Sequence, residues 1–198
     1  MQHNILLASE RRGGVKPIID GIRSAIGRGE LVQFHRSRID ANDSPWNGYV
    51  HGSSSELVLV QPLSDRLDLD GYCILRIADI SDFALEYPRQ EFHARALVAK
   101  RIAAAPPAPI DLSSIHSALR SIEACYPLFV VHRELEDPEV CEVGRLKFAS
   151  SESYALRTMS PEATWVDDPK YYSFSSITRV DFASEYESTL ALVAGVAG

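Results

Sequence analysis

Several kinds of chemistry have no motif in this 198-residue chain. There is no Gly-x-Gly-x-x-Gly and no Walker pattern, and Gly13-Gly14 alone reads as a turn rather than a phosphate cradle. There are only three cysteines, Cys73, Cys125 and Cys141. An odd number with no Cys-x-x-Cys pair excludes a disulfide framework and fits reduced thiols in a cytoplasmic protein. His3, His51, His93 and His116 are scattered, with no His-x₃-His or Cys/His cluster, so no zinc site is expected. Asp65, Asp68 and Asp70 precede Gly71, but the frame of a calcium loop puts Arg66 and Ile77 where carboxylates are needed. No apolar run approaches the roughly 20 residues of a membrane span. The short run Ile5-Leu6-Leu7-Ala8 lacks the basic flank of a signal peptide.

Positive charge is also scarce, and unevenly so. The net charge is −7, with 13 basic and 13 acidic residues in 1–104 but 7 and 14 in 105–198. An acidic surface of this kind repels phosphate backbones.

What is present is a repeat. Leu31-Val32-Gln33-Phe34-His35-Arg36 returns as Leu128-Phe129-Val130-Val131-His132-Arg133, 97 positions later. Further landmarks recur in order: Leu59 with Leu156, Leu63-Ser64 with Met159-Ser160, Ile80 with Ile177, and Leu97-Val98-Ala99 with Leu192-Val193-Ala194. A near-constant offset over such a length predicts a duplicated domain. The expected units are 1–104 and 105–198, separated by the Pro-rich stretch Ala103 to Pro109.

Each unit reads as a helix, five short strands and a closing helix. Residues 16–27 carry Ile18, Ile19, Ile22 and Ile26 on one face; residues 112–124 carry Leu112, Ile115, Leu119 and Ile122. Gly52 to Ser55, and Ala149 to Glu152, are hairpin signals. Arg145 and Lys147 alternate with Leu146 and Phe148, as in a strand with one wet face. Ala78-Asp79 and Ser175-Ser176 leave room between strands only for a sharp corner, one turn of 3₁₀ helix. The closing helices are expected to bury Phe92, Ala96 and Ala99 in one unit and Tyr186, Leu190 and Val193 in the other, the second opened by the capping box Ser184–Glu187.

This order of elements resembles the Sm-like and SH3-like small barrels. The chain is also similar to an uncharacterised bacterial family carrying the phrases Leu63 to Tyr72 and Ile177 to Phe182. The resemblance implies a mainly β, α+β protein of two tandem five-stranded barrels. Sm proteins bind RNA through the loop between strands two and three, with an Asp…Asn pair, and the loop between strands four and five, with Arg-Gly or Lys-Gly. Here those loops are Ser53-Ser54-Ser55 and Ser150-Ser151-Glu152, then Ala78-Asp79 and Ser175-Ser176, so both hallmarks are missing from both units.

The candidate binding residues are His35, Arg36, His132 and Arg133, with Trp46 and Trp165. A His-Arg pair suits anion binding or proton transfer. No serine, cysteine or carboxylate stands at a matching spacing in both copies to complete a catalytic set. Asp40 and Asp137 follow within a few residues and would orient each pair in such a site. The alternative role is structural, with each His-Arg pair holding the end of the first strand and a salt bridge. Each tryptophan either anchors a partner or covers an open barrel end. The function expected is a non-enzymatic binding or adaptor module for a protein partner, with no cofactor. RNA binding by an Sm-like protein is the alternative, and a small hydrolase using His35 or His132 is the weaker one.

Overall fold

The computed structural model describes residues 15–195. The N-terminal run, His3 and the Gly13-Gly14 turn lie outside them. Helix α1 (Val15–Arg28) presents Ile18, Ile22 and Ala25 inward. It stops at Gly29, whose positive φ of 62° lets the chain turn back while its N–H bonds to the Ala25 carbonyl. Then come β1 (Leu31–His35), β2 (Trp46–Ser53), β3 (Leu57–Pro62) and β4 (Tyr72–Arg76). A 3₁₀ turn at Ile77–Asp79 leads to β5 (Asp82–Ala84), followed by α2 (Gln90–Lys100).

The second half starts with α3 (Ile115–Cys125), capped by the Ser114 hydroxyl accepting from Ser117 N–H. Strands β6 (Phe129–His132), β7 (Cys141–Ala149), β8 (Ser153–Met159), β9 (Trp165–Val166) and β10 (Tyr171–Ser173) follow. A second 3₁₀ turn at Phe174–Ser176, β11 (Arg179–Phe182) and α4 (Glu185–Val193) complete it. Both 3₁₀ corners stand where the sequence places them. The strand alternation of 145–148 is interrupted: a bulge between Leu146 and Phe148 leaves Phe148 exposed.

The fold is mainly β with four helices among the described residues, but it is not a pair of closed barrels. All the strands form one open antiparallel sheet in the order β10-β8-β7-β6-β11-β4-β3-β2-β1-β5, with β9 on β8. The physical reason is β11. On one edge it pairs with β6, Phe182 opposite Phe129; on the other it pairs with β4, Phe182 opposite Tyr72. The last strand of one half therefore uses its second row of backbone groups on the other half instead of closing its own. β5 and β10 are left as the sheet's outer edges, each with one neighbour on the main path.

The core follows the sheet across this joint. Leu57, Leu59 and Ile74 share one apolar cluster with Ile115, Leu119 and Ile122 of α3 and with Phe129, Val180 and Phe182. Val58, Val60 and Leu75, on the opposite face, pack with α1. β3 is thus buried on both sides, as its run of aliphatic residues requires. The Pro-rich stretch is tied down: Tyr72 Oη donates to the Ala105 carbonyl at 2.9 Å and Tyr126 Oη accepts from Ala108 N–H at 3.0 Å. Three helix faces differ from expectation. α1 leaves Ile26 exposed. α2 buries His93 and Leu97 while Phe92 is half exposed, and α4 buries Glu187, Leu190 and Ala191 while Tyr186 and Val193 face out.

Candidate functional site

The sheet order brings three of the six candidate residues, Arg36, Trp46 and His132, to the joint between the halves. β1 ends at His35 and the chain turns at once, with Ile39 and Asp40 N–H both bonding to the Arg36 carbonyl. β6 ends the same way, with Glu136 and Asp137 N–H on the Arg133 carbonyl. These turns aim the two arginines differently. Arg36 points across the joint and is only 1% exposed. Its guanidinium grips Glu134 with two hydrogen bonds, of 3.2 and 2.6 Å, and reaches the Thr178 carbonyl at 3.4 Å. Arg36 Nε has no hydrogen-bond partner. Thr178 Oγ1 lies 2.7 Å from Glu134 Oε2 and accepts from Glu134 N–H.

The Trp46 ring lies between two arginines, 5.5 Å from the Arg36 guanidinium and 4.9 Å from that of Arg179. It is the first residue of β2. Arg179 clasps Asp181, and His132 Nε2 stands 3.0 Å from the same carboxylate. Burial alone would raise the carboxyls of Glu134 and Asp181. Hydrogen bonds from Arg36 and Thr178 to the first, and from His132 and Arg179 to the second, outweigh it and hold both below the usual carboxylate range. One buried and one partly exposed cation, Arg36 and Arg179, thus meet two carboxylates at one seam. Arg76 adds hydrogen bonds to the Ile177 and Phe174 carbonyls, at 2.6 and 2.7 Å. Sequence inspection passes over Arg76, Glu134 and Arg179. The one signal is at Arg76, a charge at the end of the otherwise apolar β4; Glu134 lies in the turn after β6, and Arg179 opens a strand that also carries Asp181.

The remaining candidates stand apart. His35 meets Asp43, with Nδ1 3.0 Å from its carbonyl oxygen. Arg133 lies over the Tyr172 ring at 3.6 Å and pairs with Glu136 and Glu142. Trp165 carries the Arg157 guanidinium 4.5 Å from its ring centre. Asp40 and Asp137 do not orient the His-Arg pairs: Asp40 accepts from Asn42 and Ser44 N–H within its own turn, and Asp43, Asp181 and Glu134 do the pairing.

One arrangement near the seam has a catalytic outline. Cys141 stands opposite His132 across the β6–β7 ladder, and His132 bonds Asp181. A thiol, an imidazole and a carboxylate in a row are the parts of a nucleophilic triad. The electrostatics run against it. Burial and then the charge of Asp181 push the Cys141 thiol up, and burial takes that of Cys73 to about 12. The His132 nitrogen that faces a partner faces the carboxylate, not the sulfur.

Two clefts border the seam. A small one of about 200 Å³ is lined by Trp46, Cys73, Arg179, Asp181 and Glu187. A wider one, about 520 Å³, has Trp46, Asn47, Asp65, Arg89 and His93 in its wall. His93 is fixed by Tyr87 Oη, 3.0 Å from Nδ1. No grouping of three or more His, Cys, Asp or Glu among the described residues is arranged to hold a metal ion. No described helix is long and apolar enough to cross a membrane. Comparison with protein-family models, with curated proteins and with solved structures finds no match to this chain.

Proposed function

We propose that this protein is a non-enzymatic binding or adaptor module for a protein partner, made of two Sm-like/SH3-like units related by duplication. Three regularities support the duplication. The strands of each half run in the same order, β4-β3-β2-β1-β5 beside β10-β8-β7-β6-β11. A 3₁₀ turn precedes the last strand of each. Gly48 and Gly144 fill matching tight spots on the second strands. The observation that carries the function is where the reactive side chains go. Arg36, Glu134, His132, Arg179 and Asp181 pair with one another at the seam, while the edge strands β5 and β10 keep a row of backbone groups unpaired in the sheet. An open strand edge is a template for a partner's backbone.

RNA binding is the second reading. It is favoured by Arg145, Lys147, Arg157 and Trp165, which line one cleft of about 580 Å³, since cations beside an aromatic ring suit a single strand. The net charge of −7 and the missing Arg-Gly weigh against it. The raised thiols weigh against a hydrolase.

Photo-crosslinking in the native cell separates these readings. A photoreactive residue is placed at Asp82 on β5, at Tyr171 on β10, and at exposed Val98 on α2 as a control. We expect a discrete protein adduct at an edge position and none at 98. Adducts that nuclease removes would promote RNA. Equal adducts at all three positions, or none at the edges, would refute the edge as a docking site.

A further inference from the structure

We infer that the outer face of β7, β8 and β10 docks an acidic, apolar-rich segment of the protein partner, its carboxylates among Arg145, Lys147 and Arg157 and its apolar side chains on Phe148 and Tyr171. This rests on the protein-partner reading above and names the partner's chemistry.

The register puts these residues on one face. Phe148 and Tyr171 both stand opposite Ala155, on either side of β8. Arg145 stands opposite Arg157, two residues further along β8, and so on the same side of the sheet. Trp165 stands opposite Met159, two residues further again. α4 covers the Met159 end through Leu190 and Ala191 and leaves the rest open. The Phe148 and Tyr171 rings meet edge to face at 5.7 Å, 44% and 66% exposed. Exposed aromatic rings beside arginines have the composition of interface anchors.

The first half indicates how such a face is covered. β3 holds the place there that β8 holds here, and the ladders make Ala155, not Leu156, the counterpart of Leu59: Leu59 stands between Gly52 and Ile74 as Ala155 stands between Phe148 and Tyr171. Leu57 and Leu59 are buried in the cluster formed by α3, and Ile110 and Leu112 of the stretch before α3 pack against the same cluster. That covering stretch reads Ile110-Asp111-Leu112, apolar residues around an acid. No further stretch of the described chain lies over the β8 face in the same way. The face has also changed character: Phe148 and Tyr171 stand where the first half has Gly52 and Ile74, and Arg145 and Arg157 where it has Tyr49 and Gln61. Its cations already draw carboxylates: Asp167 lies 3.4 Å from Lys147 and 4.0 Å from Arg157, and Glu123 lies 3.9 Å from Arg145. These acids favour a peptide over a nucleic acid. A peptide places one or two carboxylates among them, whereas a polyphosphate strand carries its charge past Asp167 at every step.

The test is fluorescence anisotropy on the full chain in about 150 mM salt, where long-range attraction between exposed charges is largely screened. Three labelled probes are compared: a peptide of alternating Glu and Leu, its Gln-Leu counterpart, and a U-rich oligonucleotide. The Glu-Leu peptide should bind at least tenfold more tightly than the Gln-Leu peptide. Arg157→Ser should remove that preference, and Phe148→Ser should weaken both peptides. Each variant is checked by its thermal melt, and the two sites make the test independent of either one folding poorly. Equal binding of the two peptides, or a preference that survives Arg157→Ser, overturns the inference. Tighter binding of the oligonucleotide through Arg157 overturns the partner class. Crosslinks confined to Asp82 would leave the adaptor reading standing while this face fails.

Discussion

At the scale of single residues, two His-Arg pairs that look alike in sequence have parted roles. Arg36 is sealed in the seam with Glu134, while its counterpart Arg133 lies on Tyr172 near the surface. The doublets themselves stand in plain view in the sequence. Their roles were not, because each depends on a carboxylate nearly 50 or 100 positions away that no local pattern announces. Removing one member of a buried ion pair strands the other in a poorly hydrated site, so Glu134→Ala should cost about 3–5 kcal/mol in denaturant titrations at neutral pH. The seam also fixes the pH response. Glu134 and Asp181 are held below the ordinary carboxylate range in the folded chain. Their contribution is therefore complete above the unfolded carboxylate value of about 4 and fades as pH falls through the folded values. The denaturant midpoint should drop between about pH 5 and pH 2, and drop less steeply in Glu134→Ala. Parallel curves for parent and variant would remove Glu134 from that account.

At the scale of elements, what was legible was what short sequences dictate. Two apolar strands separated by a couple of polar residues require a sharp corner, and both corners are 3₁₀ turns. The capping box at Ser184–Glu187 forms as its spacing predicts. The burial faces of α2 and α4 were not legible. Both helices are short and rich in alanine, leucine and valine around much of their circumference, so periodicity offers more than one face. The sheet decides between them by where Leu31 and Tyr87 meet α2 and where Val130 and Val143 meet α4. The second strands carry a constraint of their own. A Cβ on Gly48 would stand 2.5 Å from the Gln61 carbonyl oxygen, and one on Gly144 would fall onto that of Arg157. Neither partner is a side chain that can swing away. Gly144→Ala should therefore destabilise by about 1–3 kcal/mol, the ordinary range for overpacking, although alanine suits a strand no worse than glycine. A melt unchanged from the parent would mean that the β7–β8 ladder yields there.

At the scale of the molecule, the resemblance to small barrels implies two closed units, and the sheet is instead continuous. The reason this was hidden is that backbone hydrogen bonds carry no side-chain code. Nothing in Arg179–Phe182 says whether its second edge faces its own half or the other. Once β11 bridges β6 and β4, the cores on either side of it merge, and Ile74 of the first half sits among Ile115, Phe129 and Val180 of the second. A chain of two independently packed barrels would melt in two steps; a chain that shares a core should melt in one. The protein supplies one tryptophan reporter on each side, Trp46 on β2 and Trp165 on β9. Trp46→Phe leaves only the signal of the second half, and Trp165→Phe only that of the first. The two fluorescence melts should coincide, after allowance for any change each substitution makes to overall stability measured by circular dichroism. Ile74→Ala removes a side chain with 0% exposure and should cost about 2–5 kcal/mol as a large-to-small change in a packed core. Because that cluster belongs to both halves, the loss should appear equally in both fluorescence signals, although Ile74 lies in the first half. If the Trp165 signal stays put while the Trp46 signal falls, β11 joins the halves without coupling them, and the seam is a contact between two domains rather than the middle of one.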